Sequence, residues 1–222
     1  MTVHTSRRFD LLAFDWDGTL FDSTQIIVRC IQAAVQDIGG QAPSDAAARW
    51  VIGMGLTEAL AQAAPDVPPA LYPQLVQRYR YHYVQRQDDL ALFDGVLEML
   101  TALKARGFIL TVATGKSRRG LDQVLDHLDL RGIFDASRTA DQTASKPHPL
   151  MLHELMDEFA TPAQQVLVIG DTSHDLQMAL NAGTASVGVS YGAHAGNGLH
   201  AYQPLAVLDS VAHLDAWLAQ HA

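Results

Sequence analysis

Short apolar runs alternate with longer amphipathic segments along most of this 222-residue chain. Apolar runs rich in Val, Ile, Leu and Phe predict strands at residues 9–14, 108–113, 166–169 and 185–189, with a shorter strand at 134–137. The amphipathic segments predict helices at residues 96–106, 117–128, 149–159, 174–182 and 211–219. Because strands this uniformly apolar must be covered on both faces, the pattern predicts an α/β fold with a doubly wound parallel sheet.

The first strand is not followed by a single crossover helix. The segment from residue 21 to residue 90 reads as helical, with breaks at Gly39-Gly40 and near Pro65. Such a segment is too long for an ordinary connection between a strand and the next element. We therefore predict an α/β core formed by residues 1–20 and 91–222, and an inserted helical cap formed by residues 21–90.

Composition and charge narrow the classes of partner. The formal net charge of −9 disfavours nucleic acid, whose phosphate backbone requires a basic surface. No apolar run approaches the length of about 18 residues that a membrane-spanning helix needs, so we expect no membrane partner. Residues 1–8 are polar and predict no signal peptide. The single cysteine, Cys30, cannot form an intrachain disulfide, which favours a reducing, cytoplasmic location.

Two aspartates, Asp15 and Asp17, directly follow the first apolar strand. Carboxylates cannot lie unpaired in a packed apolar interior, so both must project from the end of the strand. Side chains alternate along a strand, so Asp15 and Asp17 point the same way and Trp16 points to the opposite, packed face. Gly18 permits the sharp turn that follows. Such a pair indicates a metal site or two groups whose proton affinities differ.

Further polar motifs follow the later strands. Thr114-Gly115-Lys116-Ser117 follows the second strand, a loop carries Lys146, and Gly170-Asp171 with Asp175 follows the third. In an open parallel sheet, ligands bind beyond the carboxyl ends of the strands, where all of these residues are expected. Asp15 and Asp171 offer oxygen ligands suited to Mg²⁺. Together with a lysine, a hydroxyl and the amides that open a helix, they suit phosphoryl transfer.

These motifs resemble, in order, the four motifs of the haloacid dehalogenase-like hydrolase superfamily. The residues that carry the resemblance are Phe14-Asp15-Trp16-Asp17-Gly18-Thr19-Leu20, Thr114, Lys146 and Gly170-Asp171 with Asp175. The helical insertion also falls where that family places its cap, and the chain looks most like the phosphoglycolate phosphatase branch. Related phosphatases often carry asparagine at the position of Gly115.

The resemblance implies a role for each motif residue. Asp15 would be the nucleophile that forms an aspartyl-phosphate, and Asp17 would be the acid and then the base. Mg²⁺ would be held by the Asp15 carboxylate, the main-chain carbonyl of Asp17 and Asp171, with support from Asp175. Phosphoryl oxygens would be bound by Thr114, Gly115 and Lys146. In the cap, Arg49, Gly53 and Gly55 are candidates for facing the substrate.

Within this family, the residues favour a phosphatase that acts on a small phosphorylated metabolite, similar to phosphoglycolate. Asp17 disfavours dehalogenation, because halide departure needs no acid, and the insertion contains no lysine for the Schiff base of a phosphonatase. A phosphomutase similar to β-phosphoglucomutase, or an inorganic pyrophosphatase, would use the same core residues. A catalytically silent binding or regulatory domain is the alternative outside the enzymes.

Two points stay open in the sequence. Asp175 could serve only as a negative charge in the first turn of a helix, with no part in a site. The oligomeric state cannot be read from the sequence.

Overall fold

The computed structural model describes residues 7–86, 90–128, 130 and 132–222. The signal-peptide prediction rests mainly on residues 1–6, and the predicted insertion includes residues 87–89; both stretches lie outside the described residues. Within the described part of the chain, no helix is both long and apolar enough to span a membrane.

Six parallel strands form one sheet in the order β3-β2-β1-β4-β5-β6. The strands are β1 (Leu11–Phe14), β2 (Ile109–Thr114), β3 (Ala136–Thr139), β4 (Val166–Gly170), β5 (Ala185–Val189) and β6 (Val207–Leu208). The chain order reverses at β1, which pairs with β2 on one side and with β4 on the other. This arrangement confirms the predicted doubly wound α/β fold, and β6 is the addition that the sequence analysis did not predict.

Helices cover both faces of the sheet, as its apolar strands require. The helices that follow the insertion are α5 (Val96–Ala105), α6 (Arg118–His127), α7 (Leu150–Glu158), α8 (Ser173–Ala182), α9 (Gly196–Leu199) and α10 (Val211–His221). Helices α5, α6 and α10 pack against the face that carries Leu12 and Phe14, whereas α7 and α8 pack against the face that carries Leu11 and Ala13. Trp16 is buried in the first of these clusters, which confirms its predicted packing role.

In the described part of the chain, four α-helices lie between β1 and α5. They are α1 (Thr24–Asp37), α2 (Asp45–Trp50), α3 (Leu56–Ala63) and α4 (Tyr72–Val84). Their apolar side chains form a separate hydrophobic cluster, in which Ile31 of α1, Leu60 of α3 and Leu75 of α4 are buried. The segment therefore holds its own small core beside the sheet.

Candidate active site

Lys146 links two carboxylates at the carboxyl end of the sheet. Its Nζ donates to Asp15 Oδ1 and to Asp175 Oδ1, each at 2.5 Å. All three side chains are essentially inaccessible to solvent. Burial alone would lower the pKa of Lys146, but the two carboxylates raise it above its ordinary value, so the side chain is an ammonium.

Asp15 differs from its neighbours because one of its oxygens is free. Its Oδ2 is buried and has no hydrogen-bond partner in the described structure. Burial raises the pKa of Asp15 well above its usual range, and Lys146 acts in the opposite direction. A buried carboxylate oxygen without a partner is costly, which indicates that it serves a ligand or a reaction.

Asp171 is held by groups from two loops. Its Oδ1 accepts a hydrogen bond from Thr19 Oγ1 at 2.8 Å, and its Oδ2 accepts one from the main-chain N–H of Ala193 at 2.6 Å. Gly18, with a φ of +88°, lies so close that a Cβ there would collide with the Asp171 carboxylate. The turn predicted at Gly18 therefore also provides the space that Asp171 occupies.

Asp175 lies in the first turn of α8 and contacts Lys146 at the same time. Its Oδ2 accepts hydrogen bonds from the N–H and the hydroxyl of Thr172, which forms a capping box at the first turn of α8. Its Oδ1 accepts from Lys146. Both oxygens are thus already paired, and the helix-start role and the site role of Asp175 coexist.

Three carboxylates come together in the described structure: Asp15, Asp171 and Asp175 offer oxygens within 4.8 Å of one another. Lys146 balances only one of these three charges, so the cluster retains negative charge. Burial, and then the neighbouring Asp175, raise the pKa of Asp171 to about 7. The free Asp15 oxygen and the excess negative charge both fit a divalent cation with oxygen ligands.

The Asp17 side chain has a different set of partners. Ser23 Oγ donates to Asp17 Oδ1 at 2.7 Å, and Lys116 Nζ lies 3.0 Å from both carboxylate oxygens. The two aspartates of the motif therefore have different cationic partners: Lys146 contacts Asp15, and Lys116 contacts Asp17. Lys116 also donates to the hydroxyl of Tyr83 on α4, at 2.9 Å.

Thr114 and Gly115 lie at and just beyond the end of β2. The Thr114 side chain is buried, and its Oγ1 accepts the main-chain N–H of Lys116 at 3.2 Å. A Cβ on Gly115 would collide with the main-chain oxygens of Gly53 and Met54. The loop that joins α2 to α3 therefore meets the loop that follows β2 at Gly115, where no side chain separates them.

Replacing Gly115 with alanine is expected to push this loop away from the sheet, because main-chain atoms cannot move aside as a flexible side chain does. For the phosphate monoesters that the sequence resemblance implies as substrates, we expect kcat/KM to fall at least about tenfold, since closure of a site positions the substrate and excludes water. Steady-state kinetics will measure this. Gly132→Ala is the matched control, because a Cβ there meets open space, and equal activity of the two variants would contradict the prediction.

The three cap candidates lie in two different places. A Cβ on Gly53 would lie 3.2 Å from Thr172 Oγ1, and the Gly55 N–H donates to Ser145 Oγ at 2.7 Å, next to Lys146. Both glycines therefore contact loops of the site. Arg49 donates to Gln25 at the protein surface.

A second contact joins the helical segment to the sheet. The carbonyl oxygen of Trp50 accepts hydrogen bonds from His174 Nε2 at 2.8 Å and His194 Nε2 at 3.0 Å. The Ser173 N–H donates to His194 Nδ1, so the ring proton of His194 is on Nε2. Burial lowers the pKa of His194 and keeps the ring neutral. The Trp50 ring stacks on the same imidazole with centroids 4.7 Å apart.

Several residues at the site were not predicted from the sequence. The sequence places Lys116 two residues after Thr114 but does not indicate that it contacts Asp17, although the chain has just three lysines. Ser23 and Tyr83 gave no signal, since a serine before a helix and a tyrosine on its face are common. The imidazoles that hold Trp50 were scattered among ten histidines without metal-ligand spacing.

The sequence matches the family profile described as haloacid dehalogenase-like hydrolase over residues 12–189. A protein of Dickeya dadantii named probable phosphatase IndB is 34% identical over 205 residues, covering 90% of this chain and 89% of that protein. A phosphoglycolate phosphatase of Aliivibrio fischeri is 32% identical over 219 residues, covering 94% of this chain and 96% of the relative.

Solved structures agree with these relatives. A crystal structure described as a predicted phosphoglycolate phosphatase of Haemophilus somnus superimposes with a TM-score of 0.82 at 25% identity, covering 94% of this chain and 97% of the other. The family profile covers most of the chain, and curated relatives above 30% identity span nearly all of it. This chain therefore belongs to the haloacid dehalogenase-like hydrolase family, in its phosphoglycolate phosphatase-like branch, and it is a phosphatase.

Proposed function

We propose that this phosphatase hydrolyses a small phosphorylated metabolite, similar to phosphoglycolate, with Mg²⁺ as cofactor and an aspartyl-phosphate intermediate. The observation that carries the proposal is the different surroundings of Asp15 and Asp17. Asp15 has a free buried oxygen, whereas Asp17 Oδ1 accepts from Ser23 and Lys116 Nζ lies 3.0 Å from both Asp17 oxygens. One carboxylate is thus available for bonding to phosphorus, and the other is placed for proton transfer.

The reaction has two steps that balance in atoms and charge. In the first, Asp15 Oδ2 forms a bond to phosphorus, the ester P–O bond breaks, and the proton of Asp17 passes to the leaving oxygen. In the second, the Asp17 carboxylate takes a proton from water, the water oxygen bonds to phosphorus, and the Asp15–phosphorus bond breaks. Inorganic phosphate leaves, and Asp17 holds the proton for the next turnover.

The neighbouring side chains would keep these reacting groups in place. Lys146 holds Asp15 Oδ1 and so directs Oδ2 toward the substrate. We assign Thr114, Gly115 and Lys146 to the phosphoryl oxygens, since a hydroxyl, a main-chain amide and an ammonium all donate. The buried positions of Thr114 and Lys146 would exclude water from the reacting centre.

The cation would be held by the carboxylates of Asp15 and Asp171 and by the main-chain carbonyl of Asp17. Asp175 would support this set indirectly, because both of its oxygens are paired with Lys146 and Thr172. When bound, Mg²⁺ supplies positive charge that offsets the charge of the transferring phosphoryl group. The excess negative charge of the three clustered carboxylates and the raised pKa of Asp171 are the features of this chain that fit such an ion.

We further propose that residues 21–90 act as the cap and that residues 1–20 and 91–222 act as the core. Gly53 and Gly55 would close over the site, since both contact its loops. Arg49 would act only at the rim, because it is bonded to Gln25 at the surface. The net charge of −9 disfavours nucleic acid as a substrate, and the buried free thiol of Cys30 fits a reducing, cytoplasmic location.

A phosphate-release screen tests this function. The panel is phosphoglycolate, other small phosphorylated acids, sugar phosphates, nucleotides and pyrophosphate, each with Mg²⁺ and with excess chelator. We expect phosphate release from small monoesters, phosphoglycolate among the best, and loss of release with chelator. Release confined to pyrophosphate, or conversion of β-glucose 1-phosphate into its isomer without release, would identify one of the alternative reactions. No turnover across the panel would contradict the proposal.

A further inference from the structure

Lys116 lies between the proposed acid–base group and the helical segment that covers the site. Its Nζ is 3.0 Å from Asp17 and 2.9 Å from the hydroxyl of Tyr83. The reaction described above gives Lys116 no part. The Lys116 side chain is only 10% exposed, and a largely buried ammonium is costly unless its charge is paired.

The lysine is charged, and the tyrosine is neutral. Burial would lower the pKa of Lys116, but the Asp17 carboxylate and Tyr83 raise it above its ordinary value. Burial raises the pKa of Tyr83 above its usual range, so its phenol stays protonated. An ammonium therefore donates to a carboxylate on one side and to a neutral hydroxyl on the other. This arrangement fixes the direction of Lys116 as well as its charge.

The contact joins two parts of the chain that are far apart in sequence. Asp17 follows β1 and Lys116 follows β2, whereas Tyr83 lies in the last turn of α4. The ring of Tyr79, one turn earlier, stacks on Tyr83 with centroids 6.0 Å apart and restricts its position. Movement of α4 would therefore be transmitted to Asp17 through one side chain.

We propose that Lys116 is a positioning residue that holds Asp17 in its working orientation, and that Tyr83 keeps Lys116 in place when α4 lies against the sheet. The proposal rests on the acid–base role of Asp17 proposed above. Among the described residues, Ser23 and Lys116 are the side chains that donate to Asp17, so without Lys116 the carboxylate would turn about the Ser23 hydrogen bond. Lys116, near both oxygens, removes this freedom.

A positioning role predicts a selective defect. A general acid matters most when the leaving oxygen is strongly basic, and least when the leaving group departs readily as an anion. Phenyl phosphate and 4-nitrophenyl phosphate are nearly the same size and carry no second anionic group, but phenolate is the poorer leaving group. Because kcat/KM reports only the steps through the first irreversible one, it isolates transfer to Asp15 from hydrolysis of the intermediate.

The experiment measures kcat/KM with Mg²⁺ for both esters in wild type, Lys116→Met, Tyr83→Phe and the control Tyr81→Phe. Tyr81 lies on the same helix with an exposed side chain. We expect Lys116→Met to lower kcat/KM for phenyl phosphate about tenfold more than for 4-nitrophenyl phosphate. This factor is smaller than the whole contribution of a general acid, about 10²–10⁴-fold, because Asp17 itself remains. Tyr83→Phe should shift the ratio in the same direction by a smaller factor, and Tyr81→Phe should leave it unchanged.

The outcomes separate this proposal from the proposed function. If wild type releases phosphate from both esters but Lys116→Met and Tyr83→Phe lower both values by one common factor, Lys116 serves binding or stability and the positioning role is wrong. The positioning role is also wrong if neither variant changes kcat/KM. If wild type hydrolyses neither these esters nor any member of the phosphate-release panel, the proposed function fails, and the positioning role fails with it. Thermal unfolding of each variant shows whether a change reflects loss of the fold, and Tyr83→Phe, which removes one hydroxyl, guards against that case.

Discussion

Asp15→Asn is expected to lower phosphate release by at least about 10⁴-fold while the protein remains folded, because an amide oxygen cannot replace a carboxylate as nucleophile. Lys146 already contacts Oδ1, so an asparagine oxygen can accept the same hydrogen bond. The Oδ2 position, which lacks a partner in the described structure, would carry an amide that forms no bond to phosphorus. Steady-state phosphate release from the best substrate of the panel will measure the loss.

The stability of this variant provides an independent check. Burial raises the pKa of Asp15, so the folded environment disfavours its charge. A neutral asparagine removes one of the mutually repelling carboxylates, and we expect the melting temperature without Mg²⁺ to equal or exceed that of wild type. Asp22→Asn is the matched control, since Asp22 lies in the same loop and is exposed. Activity of Asp15→Asn comparable to that of Asp22→Asn would refute the nucleophile assignment.

Lys146→Met is expected to cause the largest loss of stability among these substitutions. The side chain is buried and is bonded to both Asp15 and Asp175. Its removal leaves three neighbouring carboxylates without their cation, and breaking a buried charge pair in this way costs about 3–5 kcal/mol. Urea unfolding without Mg²⁺ will measure the change in the free energy of unfolding.

Lys104→Met is the matched control for this prediction. Lys104 pairs with Asp135 at 2.5 Å, but the pair is partly exposed, so its loss should change the free energy of unfolding by about 1 kcal/mol or less. Added Mg²⁺ should recover part of the stability of Lys146→Met, because a bound cation replaces some of the missing charge. Equal stability of Lys146→Met and Lys104→Met would show that the buried network contributes little.

The fold and the sheet-end part of the site follow from local sequence patterns. Uniformly apolar strands and intervening amphipathic helices fix a covered parallel sheet, and the order of the strands brings Asp15, Thr114 and Asp171 to one edge. Elements of only a few residues cannot be predicted from such patterns. Strand β6 has only two residues, Val207 and Leu208, which is too short for a pattern to emerge.

Contacts between the helical segment and the sheet could not be predicted. Lys116 reaches Tyr83 across 33 positions of sequence, and the carbonyl of Trp50 meets two imidazoles from the other end of the chain. Such pairings depend on how the helices pack as a unit, which helical periodicity does not encode. The insertion contains no lysine of its own, but Lys116, from the loop that follows β2, donates to the hydroxyl of Tyr83 in the insertion. A lysine therefore lies at this contact although the insertion does not supply it.

The proposed covalent intermediate is tested most directly by trapping the phosphoryl group. Asp17→Asn is mixed with 4-nitrophenyl phosphate and Mg²⁺, because that leaving group needs little acid, whereas the water step lacks its base. The reaction is quenched in acid, digested and analysed by mass spectrometry, with the double variant Asp15→Asn/Asp17→Asn as the blank. We predict one phosphoryl group on Asp15 and none in the blank. A burst of nitrophenolate with no phosphorylated peptide, or with phosphate on another residue, would contradict the proposed mechanism.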